Sequence, residues 1–300
     1  ATVTSADDSA SRSVRVLEEA FFDIEIADRN QPVAGETLNV TVAVTNRGDF
    51  TETQSVSLSV PGLGFEFESI TLSGRESVEK TFSFATSAGD VGSYTATATG
   101  GDDSASAGVS ILTQDIFGVQ IDETTAPVEG DRLAVDVTVR NTGDTQGTQT
   151  LTLDVPGLGT NATTVTLGAG NTTSRTLSLA TETGDAGNYT ATVSTANDST
   201  SQSVAVLAPA NLTVEITGTS QTLTGDALSV TATVTNTGDI RATQTLSLSV
   251  PGIGTTTAGV RLDGGASVSK TLSLATSAGD GGDYTATVAT ANDSASQSVT

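Results

Sequence analysis

The sequence predicts an all-β chain of three tandem two-layer sandwiches, about seven strands in each, strung into an elongated rod. Three observations predict it. The chain repeats itself every 95 residues. Within a repeat, short runs alternate apolar residues with Ser and Thr at a period of two, as half-buried strands do. Clusters of Gly, Asn, Asp and Pro separate these runs, and no apolar stripe of helical period appears.

The repeat is read from three landmarks. Asn46 opens NRGD, and Asn141 and Asn236 open NTGD; Val60 and Val155 open VPGLG, and Val250 opens VPGIG. Tyr94, Tyr189 and Tyr284 each open YTAT, and every spacing is 95 residues with no insertion. Self-similarity at a fixed period marks an array of like units. Residues 1–17 align with 96–112 and 191–207, so they read as the terminal hairpin of a preceding repeat. The repeats proper then span 18–112, 113–207 and 208–300, and the whole reads as a window on a longer array. The other reading is that the first strand completes a neighbouring subunit by strand donation. The third repeat speaks against it, because it carries its own last strand at Ser294–Thr300.

The strands of the first repeat follow in order. Phe22–Ile26 opens it. Leu38, Val40, Val42 and Val44 then alternate with Asn39, Thr41 and Ala43, a pattern that returns at Leu133–Val139 and Leu228–Val234. Gln54–Val60, Ser69–Leu72, Thr81–Thr86, Tyr94–Thr99 and Ser104–Ile111 complete the set. Seven strands in about 95 residues is the size of an immunoglobulin-like sandwich. Asp90-Val91-Gly92-Ser93-Tyr94-Thr95-Ala96 has the D-x-G-x-Y-x-C form that leads into the sixth strand of such domains, with Ala in place of Cys. Tyr94, Tyr189 and Tyr284 are the only tyrosines, one per repeat. They are expected to form a tyrosine corner, with the hydroxyl bonded back to the main chain. A binding role is the rival idea for them.

The segments LNVTVAVTNRGDF, LAVDVTVRNTGDT and LSVTATVTNTGDI resemble the V-x-N-x-G signature of CARDB-type domains. The resemblance implies immunoglobulin-like modules in tandem on secreted and cell-surface prokaryotic proteins, with adhesion-related roles. It supplies no catalytic residues. The composition is similar to that of haloarchaeal proteins: 35 Asp and Glu against 12 Lys and Arg, a net charge of −23, with Lys80 and Lys270 the only lysines. Surface carboxylates of this kind hold water and cations in brine, where a Debye length of about 3 Å screens their repulsion. The expected setting is therefore extracellular, at the surface of a haloarchaeon or in one of its viruses.

Composition also excludes chemistry. His, Cys, Met and Trp are absent, which removes Ser-His-Asp and Cys-His nucleophiles, thiolate and imidazole metal sites, and disulfides. The acidity argues against nucleic acid or an anionic membrane as partner. No apolar run approaches the roughly 20 residues of a membrane span. Paired carboxylates could hydrolyse glycosides, but aromatic residues make up only 4% of the chain, too few to line a sugar cleft. No enzymatic activity is expected.

The remaining motifs each have a plain reading. Arg47-Gly48-Asp49 spells an integrin tripeptide, but its counterparts read Thr-Gly-Asp, so the slot is a turn after a strand. Asp49, Asp144 and Asp239, like Asp8, Asp103, Asp198 and Asp293, are most simply turn formers. Calcium, which needs six to eight converging oxygens, is the one cofactor they leave open, with Asp102 and Asp103 as its candidates. Sequons begin at Asn39, Asn161, Asn171, Asn188, Asn197, Asn211 and Asn292. Asn161, Asn171 and Asn197 are placed in loops and are the glycosylation candidates. Phe65 and Phe67, where the second repeat has Thr160 and Ala162, are expected at an exposed edge as a lateral contact. The connectors Glu18-Glu19-Ala20, Thr113-Gln114-Asp115 and Ala208-Pro209-Ala210 are short and lack flexible Gly/Ser composition. All this predicts a structural stalk or filament component whose partners are other copies of itself or neighbouring repeats. The alternative is an adhesive module that recognises glycan or protein through sandwich loops.

Overall fold

The computed structural model describes residues 1–101 and 103–300. Among them no α-helix occurs; the one helical element is a 3₁₀ turn at Ala88–Asp90. A hairpin of β1 (Thr2–Thr4) and β2 (Ser9–Ser11) stands as its own two-stranded sheet. Both strands are exposed throughout. The hairpin pairs only three residues on each side. Residues 12–16 carry no strand, although their counterparts 107–111 do. Two strands with no sheet to cover them are marginal in water.

The first repeat forms β3 (Phe22–Arg29), β4 (Thr37–Asn46), β5 (Glu52–Val60), β6 (Gly64–Leu72), β7 (Ser77–Ala85), β8 (Gly92–Thr99) and β9 (Ser104–Ile111). These make a three-stranded sheet, β3-β4-β7, and a four-stranded sheet, β6-β5-β8-β9. The second repeat gives β10 (Phe117–Thr124), β11 (Arg132–Asn141), β12 (Gly147–Val155), β13 (Gly159–Leu167), β14 (Thr172–Ala180), β15 (Gly187–Ser194) and β16 (Ser199–Val206). The third gives β17 (Leu212–Thr219), β18 (Ala227–Asn236), β19 (Ala242–Val250), β20 (Gly254–Leu262), β21 (Ser267–Ala275), β22 (Tyr284–Ala289) and β23 (Ser294–Val299). Both repeat the same two sheet orders. The fold is an immunoglobulin-like β-sandwich in tandem. It differs from the constant-type arrangement in one strand: the fourth pairs with the third in the larger sheet instead of with the fifth.

Alternation explains the cores. In β4 the side chains of Leu38, Val40, Val42 and Val44 are fully buried, while Asn39, Thr41 and Ala43 are half-buried on the other face. They pack with Phe22, Val56, Leu58, Ile70, Phe82, Phe84, Ala96 and Ile111 in one cluster. Leu228, Val230, Ala232, Val234, Leu246, Leu248, Ala286 and Val288 do the same in the third repeat. The opposite faces carry hydroxyls that pair across strands. Thr41 meets Thr81 at 2.9 Å, Thr45 meets Ser77 at 2.8 Å, and Thr231 meets Thr271 at 2.8 Å. Cross-strand pairs of this kind stabilise a sheet without charge.

Several strands run longer than the sequence pattern suggests, β3 at its end and β6 and β7 at their starts. β6 begins at Gly64 rather than at Ser69, and β7 begins at Ser77 rather than at Thr81, ending at Ala85. Both lie at sheet edges. There the face that points inward carries Glu66, Glu68 and Lys80, which hide the alternation. Lys80 Nζ donates to Glu68 Oε1 at 2.5 Å, and Ser83 N–H donates to Glu66 Oε2 at 3.3 Å, fastening one edge to the other.

The VPGLG segment and the tyrosine form one assembly. Val60-Pro61-Gly62-Leu63 is a turn closed by Leu63 N–H to Val60 C=O at 2.9 Å. Gly62 has φ +98°, as a type II turn with Pro before Gly requires. The Tyr94 ring lies against this glycine, so close that an added Cβ would sit 3.3 Å from it. Its hydroxyl donates to Asp90 C=O at 2.8 Å, and Tyr189 donates to Asp185 C=O at 2.7 Å. These two are tyrosine corners. Tyr284 keeps the ring contact with Gly252, but no bond joins its hydroxyl to Asp280, and β22 begins only at Tyr284 itself. Nearby, Val33 and Val128 form parallel bridges to Leu112 and Leu207.

The two kinds of tyrosine supply an internal control. Tyr189→Phe is expected to destabilise its sandwich by about 1 kcal/mol, the typical net worth of a hydrogen bond. Tyr284→Phe is expected to leave stability unchanged. Chemical denaturation of the two variants side by side checks this, and equal effects would contradict it.

Candidate functional site

Each repeat places a buried asparagine at the end of its second strand. Asn46, Asn141 and Asn236 are 0% exposed. A buried amide is costly unless its donors and acceptor are met, and here they are. Asn46 Nδ2 donates to Phe50 C=O at 2.8 Å and Leu72 C=O at 3.2 Å, while Oδ1 accepts from Gly48 N–H at 2.9 Å. Asn141 Nδ2 donates to Thr145 C=O at 2.7 Å and Leu167 C=O at 3.1 Å, and Oδ1 accepts from Gly143 N–H at 3.0 Å. Asn236 repeats the pattern with Ile240 and Gly238.

The turn so pinned receives the connector that precedes the sandwich. Asp49 Oδ2 accepts from Glu18 N–H at 3.0 Å, Asp144 Oδ2 from Thr113 N–H at 2.9 Å, and Asp239 Oδ2 from Ala208 N–H at 2.7 Å. In return each aspartate's own N–H donates to the carbonyl of the same connector residue, at 2.9, 3.1 and 3.1 Å. Thr142 N–H donates to Ile116 C=O, and Ile116 N–H donates to Asn141 Oδ1. The glycine of the motif allows the approach. A Cβ on Gly48, Gly143 or Gly238 would lie 1.9 to 2.1 Å from the carbonyl oxygen of Glu19, Gln114 or Pro209.

The chain divides into two compact units. One unit is Ala1–Gly118 with Arg140–Gln149 and Thr166–Thr172; the other is Val119–Val139 with Thr150–Val165 and Thr173–Thr300. In the first, the piece at 140–149 holds the turn on which Thr113 and Ile116 are bound.

A second carboxylate in each repeat holds the first strand. Asp103 Oδ2 accepts from Ile24 N–H at 3.0 Å, Asp198 from Val119 N–H at 2.9 Å, and Asp293 from Val214 N–H at 2.8 Å. The electrostatics follow from these bonds. The Ile24 N–H, with that of Ser104, holds the Asp103 carboxyl below its ordinary range. The Glu18 N–H does the same for Asp49, helped by the Arg75 and Arg15 guanidiniums. The Ser87 hydroxyl and N–H lower Asp90, and the Arg241 guanidinium lowers Asp263.

The predicted site residues fall as follows. Asp102 lies outside the described residues. Asp103 spends a carboxylate oxygen on strand β3, and among the described residues no three acidic side chains converge on one point. Arg47-Gly48-Asp49 is a turn, but not only that: Arg47 pairs with Asp23, while Asp49 holds the connector and pairs with Arg15 and Arg75. Asn161 is not in a loop. It lies within β13, and its Nδ2 donates to Ser178 C=O at 2.8 Å, because the edge strand extends back to Gly159. Asn171 and Asn197 do lie in exposed connections between strands. Phe65 and Phe67 are 62% and 69% exposed on the edge strand β6, ring centroids 6.2 Å apart. The connector-holding role of Asp49, Asp144 and Asp239 was missed from sequence, where only their exact recurrence signalled it.

No family model matches the chain, and no curated protein matches it. Solved structures similar to it include immunoglobulin domains 1–5 of Sidekick-1, with 16% identity and a TM-score of 0.30 over 94% of this chain and 58% of that one. A variant of titin domains I67–I69 shows 16% identity and a TM-score of 0.28 over 95% and 98%. Red sea bream transglutaminase shows 17% identity and a TM-score of 0.28 over 64% of this chain and only 32% of its own. At such TM-scores these likenesses carry no argument of their own, and the fold rests on the sheet orders and cores.

The carboxylates set an acid limit. Lowered pKa values at Asp49, Asp90, Asp103 and Asp263 add stability that is complete above the unfolded carboxylate value of about 3.9. It is lost as the pH falls through the lowered folded values. Melting followed by circular dichroism is therefore expected to be level from about pH 8 to about pH 5 and to fall only below about pH 4. A decline already beginning near neutrality would contradict this.

Proposed function

We propose that the chain is a non-enzymatic structural spacer, part of an extracellular stalk or filament that projects or links at a cell surface. Its modules are the repeats 18–112, 113–207 and 208–300, of CARDB type, and its partners are further copies or neighbouring repeats. The observation that supports this best is the sameness of the modules where they join. The N-x-G-D turn holds the connector by the same two bonds in all three. The VPGLG or VPGIG turn and the D-x-G-x-Y loop recur almost unchanged. A recognition array gains from loops that differ, whereas a spacer gains from joints that do not. Acidity of −23 with only 16% charged residues accords with service in brine, as for a haloarchaeon or one of its viruses.

An adhesive module is the second reading, and Phe65 with Phe67 favours it. An exposed aromatic pair appears in the first repeat only; the counterparts are Thr160 and Ala162, and Thr255 and Thr257. Contiguous exposed apolar surface on an otherwise hydroxyl-covered sheet is a feature of contact sites.

Negative-stain electron microscopy tests the spacer reading. Beaded, elongated particles are expected, and compact globules would refute it. Salt dependence tests the setting. The thermal midpoint is expected to rise with NaCl up to molar concentrations and the folded signal to fade on dialysis to low salt; an unchanged melt in dilute buffer would remove the halophilic part.

A further inference from the structure

We propose that the N-x-G-D turn is a binding site for extended main chain, and that its aspartate latches the connector in place independently of that connector's sequence. The first two bound residues of each connector have no side chain in common across the repeats. The connectors are Glu18-Glu19-Ala20, Thr113-Gln114-Asp115 and Ala208-Pro209-Ala210, differing in charge, size and backbone freedom. All three are nevertheless held alike, through the amide and carbonyl of the first residue, by the aspartate's carboxylate and its own N–H. A site that reads only N–H and C=O takes any extended peptide. The glycine supplies the selectivity that remains, since its missing Cβ is where the connector's next carbonyl lies.

A second pair of bonds makes this a latch and not merely a turn. Leu112, immediately before Thr113, donates its N–H to Pro32 C=O at 2.9 Å and accepts from Ala34 N–H at 2.9 Å. Leu207, immediately before Ala208, is held in the same way by Pro127 and Glu129, at 2.8 and 3.0 Å. Two consecutive residues are therefore each fixed by two bonds, one to the loop upstream and one to the turn downstream. No unbonded residue is left between them to act as a hinge. Releasing the aspartate bonds frees the connector while leaving each core, which the aspartate does not enter, as it was. This inference concerns a local binding event and stands whether or not the chain serves as a spacer.

Hydrogen exchange on the full chain, comparing the parent with Asp144→Ala and Asp144→Asn, tests it. The Thr113 amide is expected to exchange at least about tenfold faster in Asp144→Ala, as local opening without global unfolding permits. Amides of Val135, Val137, Leu151 and Leu153 should keep their parent rates. Asp144→Asn, which retains an oxygen acceptor without the charge, should fall between. Gly143→Ala, which drives a Cβ into the Gln114 carbonyl, should release Thr113 in the same way. Unchanged exchange at Thr113 in Asp144→Ala would overturn the proposal. So would equal acceleration of the core amides, which would make the carboxylate a support of the sandwich and not of the connector.

Discussion

The structure depends on a buried asparagine side chain, one per repeat, placed where the second strand ends. Asn46, Asn141 and Asn236 are wholly enclosed, and a single unmatched polar atom there would cost about 1–3 kcal/mol. Matching them fixes three things at once: carbonyls of the turn that follows, a carbonyl at the end of the fourth strand, and the N–H of the motif glycine. With the turn fixed, the next residue has no freedom in where its carboxylate points. Hence the aspartate presents a carboxylate oxygen to the connector's first amide in all three copies. The N-x-G-D motif is thus a chain of consequence in which the asparagine sets the geometry and the glycine and aspartate use it.

How much of this could be read in advance depended on where each bond partner lies. Central strands such as β4 and β18 were plain, because both their neighbours are paired and only one face is buried, leaving an unbroken alternation. The starts of β6 and β7 were not, since Glu66, Glu68 and Lys80 occupy inward positions at the rim, where their charges meet each other instead of the core. Asn161 was misplaced into a loop for the same reason. The tyrosine corner was legible because donor and acceptor are four residues apart in one motif. The aspartate latch was not, because Asp144 and Thr113 are separated by 31 residues and only the folded sandwich brings them together.

The surface follows a related logic. Most outward positions on the strands are Ser or Thr, and many bond to a hydroxyl directly across the ladder. Such pairs keep a sheet face polar without drawing on charge. The carboxylates can then be concentrated in turns, where backbone N–H groups are available. Asp103, Asp198 and Asp293 each serve a strand amide in this way. A high acidic count is therefore compatible with order, because part of it is consumed in main-chain bonds that a neutral residue would make less strongly.

The edges carry the last constraint. An open sandwich has unpaired strand rims that invite pairing with another chain, and β6 is such a rim. Its inward charges answer the problem: Glu68 with Lys80 and Glu66 with Ser83 turn the rim toward its own partner sheet. In the second repeat Asn161 makes the corresponding tie to Ser178 by its side-chain amide. The outward face of the same strand is under no such requirement. Phe65 and Phe67 stand there opposite Ser59 and Ser57, and Thr255 and Thr257 take the same places opposite Ser249 and Ser247 in the third repeat with the register unchanged. Inward positions of this edge strand thus tie it to the facing rim of the same sandwich in the first two repeats, and outward ones are left free for a copy to acquire a surface of its own.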